Sequence, residues 1–374
     1  MSGGAGHGGE GHGAGEHGGG FDVPEVAAVR RGEEQDWARA EAWIRERMPD
    51  LPAPLEVLQF PGGHANLTYL LRFGGPGGTE LVLRRPPFGK VAPGAHDMVR
   101  EFKVLSRLWR LLRTAPRAYL LCEDEAVIGG RFFVMERRTG VVVRTRIPDE
   151  MRHHKDVARR VSFALVDAMA DFHDVDYAKA DLADLGKPEG FTERQVAGWK
   201  RRWEDAKDAP LPLFDEVHAR LAASIPRSQG ASLVHNDLKL DNCQFDPADP
   251  DRVKSIFDWD MTTLGDPLVD LGTLLGYWSQ ADDPADRSPT NALTNQPGFP
   301  TRRELAERYA ARRDVPLASI DWYEAFAIWK TAVVLQQIYI RFVRGQTQDE
   351  RFRLLGPRVP LLVRLAADVL ARRA

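Results

Sequence analysis

The sequence predicts an α+β fold in which a small antiparallel sheet is followed by a larger helical part. Three observations carry this expectation. Between residues 55 and 137, apolar runs of strand length alternate with glycine- and proline-rich turns. After Gly140 the apolar residues recur at helical rather than alternating spacing. One β-like stretch, 232–260, interrupts the helical part.

The elements follow in order. Residues 1–20 are glycine with scattered His7, His12 and His17. So little apolar surface cannot offset the entropy of ordering, which predicts a disordered tail whose histidines have only incidental metal affinity. From 33 to 48 Trp37, Ala40, Trp43, Ile44 and Met48 fall at helical spacing, and Pro49 closes the helix. Strands are expected at 55–60, 66–73 and 80–85. The first two are joined by Pro61-Gly62-Gly63-His64-Ala65 and the second pair by Gly74-Gly75-Pro76-Gly77-Gly78. A helix over 96–112 precedes strands at 118–122 and 131–137. Further helices read at 156–175, 192–203, 213–223, 270–278, 301–313, 321–344 and 357–372. The division is therefore a tail at 1–20, a lobe at 21–138 and a lobe at 139–374, with the hinge at 136–140.

Composition bounds the function. The net charge of −3 leaves no whole-protein footprint for nucleic acid. Cys122 and Cys243 lie far apart and make neither a metal spacing nor a disulfide scaffold. No apolar stretch reaches the ~20 residues that cross a bilayer, and the glycine-rich start lacks the charged and apolar regions of a signal peptide. The expectation is a cytoplasmic protein with neither nucleic acid nor membrane as partner.

The chemistry concentrates in Leu233-Val234-His235-Asn236-Asp237-Leu238-Lys239-Leu240-Asp241-Asn242, followed after a hairpin by Ile256-Phe257-Asp258-Trp259-Asp260. Phosphoryl transfer from ATP asks the protein for a carboxylate aimed at the acceptor hydroxyl and for oxygen ligands that hold Mg²⁺ on the phosphates. An H-x-D-x-x-x-x-N loop supplies both: Asp237 takes the hydroxyl proton and Asn242 binds Mg²⁺. Asp258 holds a further metal position. The bland alternative, a capped turn and a surface hairpin, fits less well because strand-like apolar residues flank both carboxylates and place them at an interface. Upstream, Gly62, Gly63 and Asn66 lie between two strands, where backbone N–H groups can cover phosphates. A cation on the third strand, Arg84 or Arg85, would pair with Glu101 on the following helix; adjacent strand residues point to opposite faces, so the choice stays open.

These stretches, with Leu264-Gly265-Asp266-Pro267 and Asp270-Leu271, resemble the aminoglycoside phosphotransferase and choline kinase superfamily, and more narrowly the kinase-type domain of acyl-CoA dehydrogenase family members 10 and 11. Val82 to Arg85, Arg100-Glu101, Leu121 to Asp124, Phe132 to Arg137 and residues 182–190 add to the likeness, which runs from about 50 to 345. The resemblance implies a protein-kinase-like two-lobed fold, with a small antiparallel-sheet N-lobe and a large helical C-lobe. It implies ATP and Mg²⁺ as cofactors. It makes Asp237 the base, His235 a brace of the loop, Asp260 a further metal ligand and Asp270 either a scaffold residue or a helix cap. Lys239 would offset charge on the transferred phosphate, or be a solvated lysine. The backbone of Glu136 and Arg137 would meet the adenine edge. Asn236 stands where relatives carry glycine, and asparagine tolerates left-handed backbone angles.

The acceptor should face this loop from the helical lobe, near 266–278 or near Trp329, Lys330, Gln337 and Arg341. Arg341, Arg344, Arg351, Arg353 and Arg358 favour an anionic or neutral small-molecule alcohol, and the narrower likeness implies a hydroxyacyl-CoA. An aminoglycoside, amino-alcohol or sugar kinase, a nucleotide-binding pseudokinase and a flavin-bearing acyl-CoA dehydrogenase are the competing readings.

Overall fold

The computed structural model describes residues 25–61, 66–88, 97–284, 287 and 293–372. The N-terminal tail with its three histidines, and Gly62 and Gly63, lie outside the described residues.

A five-stranded antiparallel sheet comes first, in the order β1-β2-β3-β5-β4. Its strands are β1 (Leu55–Gln59), β2 (Leu67–Phe73), β3 (Thr79–Arg85), β4 (Ala118–Cys122) and β5 (Phe132–Glu136). Alternation along the strands gives each face its own partner. Leu81, Leu83, Phe132 and Val134 pack beneath Ala40 and Ile44 of α1 (Trp37–Arg47). Val82, Phe133 and Met135 face the other way, onto Val104, Leu105 and Leu108 of α2 (Met98–Leu108).

Both helices are shorter than their apolar spacing predicts, because the chain before each is used otherwise. Asp36 caps α1 at Arg39 N, while the preceding Glu33 carbonyl accepts from the Tyr69 hydroxyl at 2.6 Å. Asp97 caps α2 by accepting from Arg100 N at 3.0 Å.

The helical lobe contains α3 (Val157–His173), α4 (Phe191–Ala206), α5 (Pro212–Ala223), α6 (Leu268–Tyr277), α7 (Arg302–Arg313), α8 (Ile320–Val343) and α9 (Arg358–Ala371). The β-like interruption resolves into β6 (Ser232–Val234), paired with β9 (Thr263–Gly265), and the hairpin β7 (Cys243–Asp246) with β8 (Asp249–Ile256). The sequence predicts a β-like stretch that runs on through Asp258 to Asp260. In the structure β8 ends at Ile256, and Asp258 turns the chain at φ 64° into a short 3₁₀ turn, Trp259–Met261. The reversal ends the strand pairing and brings a carboxylate out of the hairpin.

Helices α6 and α8 cross closely because Gly272 has no side chain. A Cβ there would stand 2.5 Å from the backbone of Tyr323. Gly272→Ala is therefore expected to destabilise the fold by about 1–3 kcal/mol, read as a lower denaturant midpoint. An unchanged midpoint would mean that the two helices separate freely.

Candidate active site

The loop after β6 is held from four sides. Asp270, the third residue of α6, accepts from His235 N and from Asn236 N, each at 2.6 Å. It therefore braces the loop, and it is not the cap of its helix. Burial opposes its charge, but His173 at 3.1 Å and the two backbone N–H groups outweigh burial and hold the carboxyl below its ordinary range. His235 Nε2 bonds the Phe257 carbonyl at 2.7 Å, tying the loop to the end of β8. Asn236 sits at φ 68°, the left-handed region that glycine fills most easily. Its side-chain amide donates to the Met261 carbonyl at 2.9 Å, and its own carbonyl accepts from Lys330 Nζ of α8 at 3.1 Å. The asparagine pairs its side chain where a glycine would have none.

Asp237, Asn242 and Asp258 converge. Asn242 Nδ2 donates to the Asp237 carbonyl at 2.8 Å and to its carboxylate at 3.1 Å. Lys239 Nζ lies 3.0 Å from the same carboxylate. Phe257 N donates to the Asn242 carbonyl at 2.8 Å, which sets Asp258 beside Asn242.

Arg84 and Arg85 go to opposite faces of β3, as adjacent strand residues must. Arg84 Nε pairs with Glu101 at 2.9 Å, and its Nη2 reaches Asp258. Arg85 turns instead to the Ile128 carbonyl at 2.8 Å and to Gln35. Arg84 is thus the strand cation that faces the site. Its partner helix is fixed too: Arg100 donates to the Thr262 carbonyl at 2.8 Å and to the Leu185 carbonyl at 2.9 Å.

The site is short of positive charge. Burial pushes Glu101 up to about 8 against the pull of Arg84. Burial, with Asp258 adding to it, pushes Asp260 up to about 6. Asp258 is part-buried, and Arg84 and His235 outweigh the cost of that burial and keep its carboxyl below the usual value. One guanidinium among three carboxylates, with the Asn242 amide adjacent, is a donor set suited to a hard divalent cation. Among the described residues no three His, Cys, Asp or Glu side chains form a closed metal cluster. Mg²⁺ needs none, since it commonly takes one or two carboxylates and completes its shell from phosphates and water.

Asn66 is buried at the start of β2, and neither its amide nitrogen nor its oxygen has a hydrogen-bond partner. Glu136 N already donates to the Arg117 carbonyl at 2.8 Å, and Glu136 Oε2 accepts from Arg117 N at 3.0 Å. Any adenine contact on Glu136 therefore falls to its carbonyl. The Arg137 guanidinium lies 5.0 Å from the Phe60 ring centre and pairs with Glu25.

Two residues that the motif does not signal belong to the site's surroundings. Tyr277 ends α6, and the Lys239 ammonium that pairs with Asp237 at 3.0 Å lies 5.1 Å from its ring centre. Arg100 was legible only as part of the Arg100-Glu101 pair. A cleft of about 640 Å³ opens elsewhere, lined by Trp109, Arg113, Asp167 and Lys254 among others. No residue of the converging set borders it.

A two-lobed, protein-kinase-like fold whose interface carries an Asp, an Asn and a second Asp in this arrangement defines a phosphotransferase class. Residues 56–308 match the family model described as phosphotransferase enzyme family. The chain belongs to that family. It is 30% and 31% identical to acyl-CoA dehydrogenase family members 10 and 11 of Mus musculus, over 84% of this chain in both cases. It spans only 29% and 41% of the lengths of those two relatives. Among solved structures, a Ralstonia eutropha protein provisionally described as an aminoglycoside phosphotransferase is 28% identical with a TM-score of 0.75, covering 91% of this chain and 99% of the other. At the level of fold alone, the GDP complex of wild-type aminoglycoside 2'-phosphotransferase-IIIa superposes with a TM-score of 0.56 at 16% identity, covering 91% of this chain and 100% of that one.

Proposed function

We propose that the chain is a small-molecule kinase that transfers the γ-phosphoryl group of ATP to a hydroxyl. The carrying observation is the convergence of Asp237, Asn242 and Asp258 through the Asn242–Asp237 and Phe257–Asn242 hydrogen bonds. In this reading Asp237 accepts the acceptor's proton as the new P–O bond forms and the bond to ADP breaks. Asn242 Oδ1, Asp258 and Asp260 would hold Mg²⁺, which supplies charge neutralisation on the phosphates. Arg84, fixed by Glu101, presents a guanidinium to the nucleotide in place of the usual lysine. Lys239 offsets charge on the transferred group. Asn66, a described residue of the turn between β1 and β2, would lie on the phosphate side, and the Glu136–Arg137 backbone would meet the base.

Two lysines, Lys239 beside Asp237 and Lys330 behind its loop, favour a neutral or anionic acceptor over a polycation. The names of the acyl-CoA dehydrogenase relatives support a hydroxyacyl-CoA as the preferred alcohol. Part of the basic C-terminal stretch is spoken for, since Arg351 pairs with Asp349 at 2.6 Å and Arg353 with Glu350 at 3.6 Å. The test is incubation with ATP and Mg²⁺ against hydroxyacyl-CoA, aminoglycoside, amino-alcohol and sugar acceptors, read by mass spectrometry and ADP release. Gain of one phosphoryl group on a hydroxyacyl-CoA is the expected result. Nucleotide binding without transfer to any acceptor would favour a pseudokinase.

The charge deficit also sets a pH dependence. A proton on Asp260 competes with the metal, and its carboxyl titrates at about 6 in the folded protein. Below that value the proton wins, so Mg²⁺–ADP should bind more tightly as pH rises through about 6 and level off above it. Calorimetry in buffers of different ionisation enthalpy should show proton release on binding at pH 6 and little at pH 8. Equal affinity at pH 5 and pH 7.5 would remove Asp260 from the metal site.

A further inference from the structure

The cleft of about 640 Å³ that lies apart from the phosphoryl-transfer residues has an unbalanced set of charges. It opens between the chain that follows α2, at Arg113 and Thr114, and strand β8, at Val253 and Lys254. These two segments are tied together at one point, where Ile256 N donates to the Thr114 carbonyl at 2.8 Å. Trp109 at the end of α2 and the small Ala164 and Ala168 of α3 add apolar wall.

Every carboxylate that lines the cleft already has a cation from another segment. Asp167 accepts from Arg308 at 2.9 and 2.6 Å, Asp251 accepts from Arg160 at 3.0 and 2.8 Å, and Asp171 accepts from Arg312. The lining cations are not matched in this way. Arg138 pairs with Glu136 at 3.0 Å, but Arg252 stands 3.7 Å from Asp246, beyond hydrogen-bond reach. Arg113 and Lys254 have neither a hydrogen bond nor an ion pair among the described residues. Lys254 is half-buried, where an unpaired ammonium costs more than on an open surface. The Thr114 hydroxyl is buried and also lacks a hydrogen-bond partner. Outside the cleft, Arg110 and Arg117 lie 5.1 and 4.5 Å from the Trp109 ring centre with no carboxylate partner, so the surrounding field is positive.

We propose that this cleft binds a phosphate monoester with an apolar body, the phosphate held by Arg113 and Lys254 and the body lying along Trp109 and Val253. Charge selects the class. A phosphate monoester carries about −1.5 to −2 near neutral pH, which two unpaired cations match. A lone carboxylate would leave one of them unanswered. Arginine offers its fork to two phosphate oxygens and lysine a point charge to a third. The volume lies in the range of about 300–1,000 Å³ that encloses a small molecule. The site goes beyond the kinase reading and does not depend on it, because it shares no residue with the phosphoryl-transfer centre.

The experiment titrates the full chain with phenyl phosphate in a calorimeter, with and without excess Mg²⁺–ADP, and uses phenol as the uncharged control. Phenyl phosphate should give a saturable heat that persists when Mg²⁺–ADP is present, and phenol should give none. Hydrogen bonds to charged groups are the strong ones, so Arg113→Gln and Lys254→Gln should each weaken phenyl phosphate by about tenfold or more. The double variant should show no saturable heat. Neither side chain has a partner to lose, so the denaturant midpoints of all three variants should match the parent, which separates lost binding from a lost fold. The absence of a saturable heat in the parent overturns the proposal, as does phenol binding as tightly as phenyl phosphate. Parent-like affinity in both single variants also overturns it. Binding that Mg²⁺–ADP abolishes and the two substitutions leave intact would belong to the phosphoryl-transfer centre, and the cleft would then hold no phosphate. Failure of the kinase reading looks different: Mg²⁺–ADP would produce no heat of its own, and the substitutions in the cleft would still decide.

Discussion

Replacing Asp237 by alanine is expected to lower phosphoryl transfer by about a thousandfold, within the 10²–10⁴ range of a lost general base, while nucleotide binding and fold persist. The separation of effects follows from what the carboxylate touches. It meets Lys239 and the Asn242 amide, and its side chain is about one-fifth exposed at 21%. Its removal strands no buried partner, because Lys239 is itself 30% exposed and Asn242 keeps its bond to the Asp237 carbonyl. The loop is braced through backbone atoms of His235 and Asn236, which the substitution leaves alone. The loss should therefore appear in kcat, with the dissociation constant for Mg²⁺–ADP and the unfolding midpoint near the parent values. Asp237→Asn should behave similarly, since an amide accepts no proton. Either variant turning over at the parent rate would show that the acceptor proton leaves by another route.

The chemistry of this site was legible because it is local. His235, Asp237 and Asn242 sit within one short loop, and that spacing alone places a proton acceptor and a metal ligand together. Asp270 remained ambiguous in the sequence, since an aspartate near a helix start serves equally as a cap. Only the folded chain shows its carboxylate across the two loop N–H groups. The choice between Arg84 and Arg85 was undecidable for a similar reason: alternation says that they diverge, not which face meets the helical lobe. Tyr277 left no signal, because an aromatic residue at the end of an apolar helix reads as core. Its ring contact with Lys239 joins the end of α6 to the loop after β6, a long-range contact that no local pattern encodes. The premature end of β8 at Ile256 was hidden as well. An apolar-Asp-Trp stretch continues a strand by composition, whereas Asp258 turns the chain at φ 64° and pairs with Arg84 of β3.

The second large effect is expected at Arg84. Its guanidinium is buried between Glu101 and Asp258, with Asp260 close enough to raise its proton affinity further, so it stays charged. Arg84→Met would remove the cation that pairs with the buried Glu101 and leave it facing the part-buried Asp258. Breaking a buried pair in this way costs about 3–5 kcal/mol, far above the usual effect of a surface charge. Arg84→Lys should recover only part of it. The fork sends Nε to Glu101 and Nη2 to Asp258, two directions that one ammonium cannot serve with the same geometry. The penalty should also depend on pH with a definite sign. Glu101 already holds its proton to about 8 in the folded state, well above an ordinary carboxylate. A group whose folded value is raised stabilises the protein at low pH and loses that contribution as pH rises through the folded value. Without Arg84 to oppose burial, Glu101 binds its proton more tightly still. The destabilisation of Arg84→Met should accordingly be smaller at pH 5, where Glu101 is neutral, than at pH 8.5. Denaturant unfolding of parent, Arg84→Met and Arg84→Met/Glu101→Met at both values checks this, with the double variant regaining most of the lost stability. Should the single variant unfold at the parent midpoint at both pH values, Arg84 would be a solvated surface charge, and its place between the two lobes would have to be redrawn.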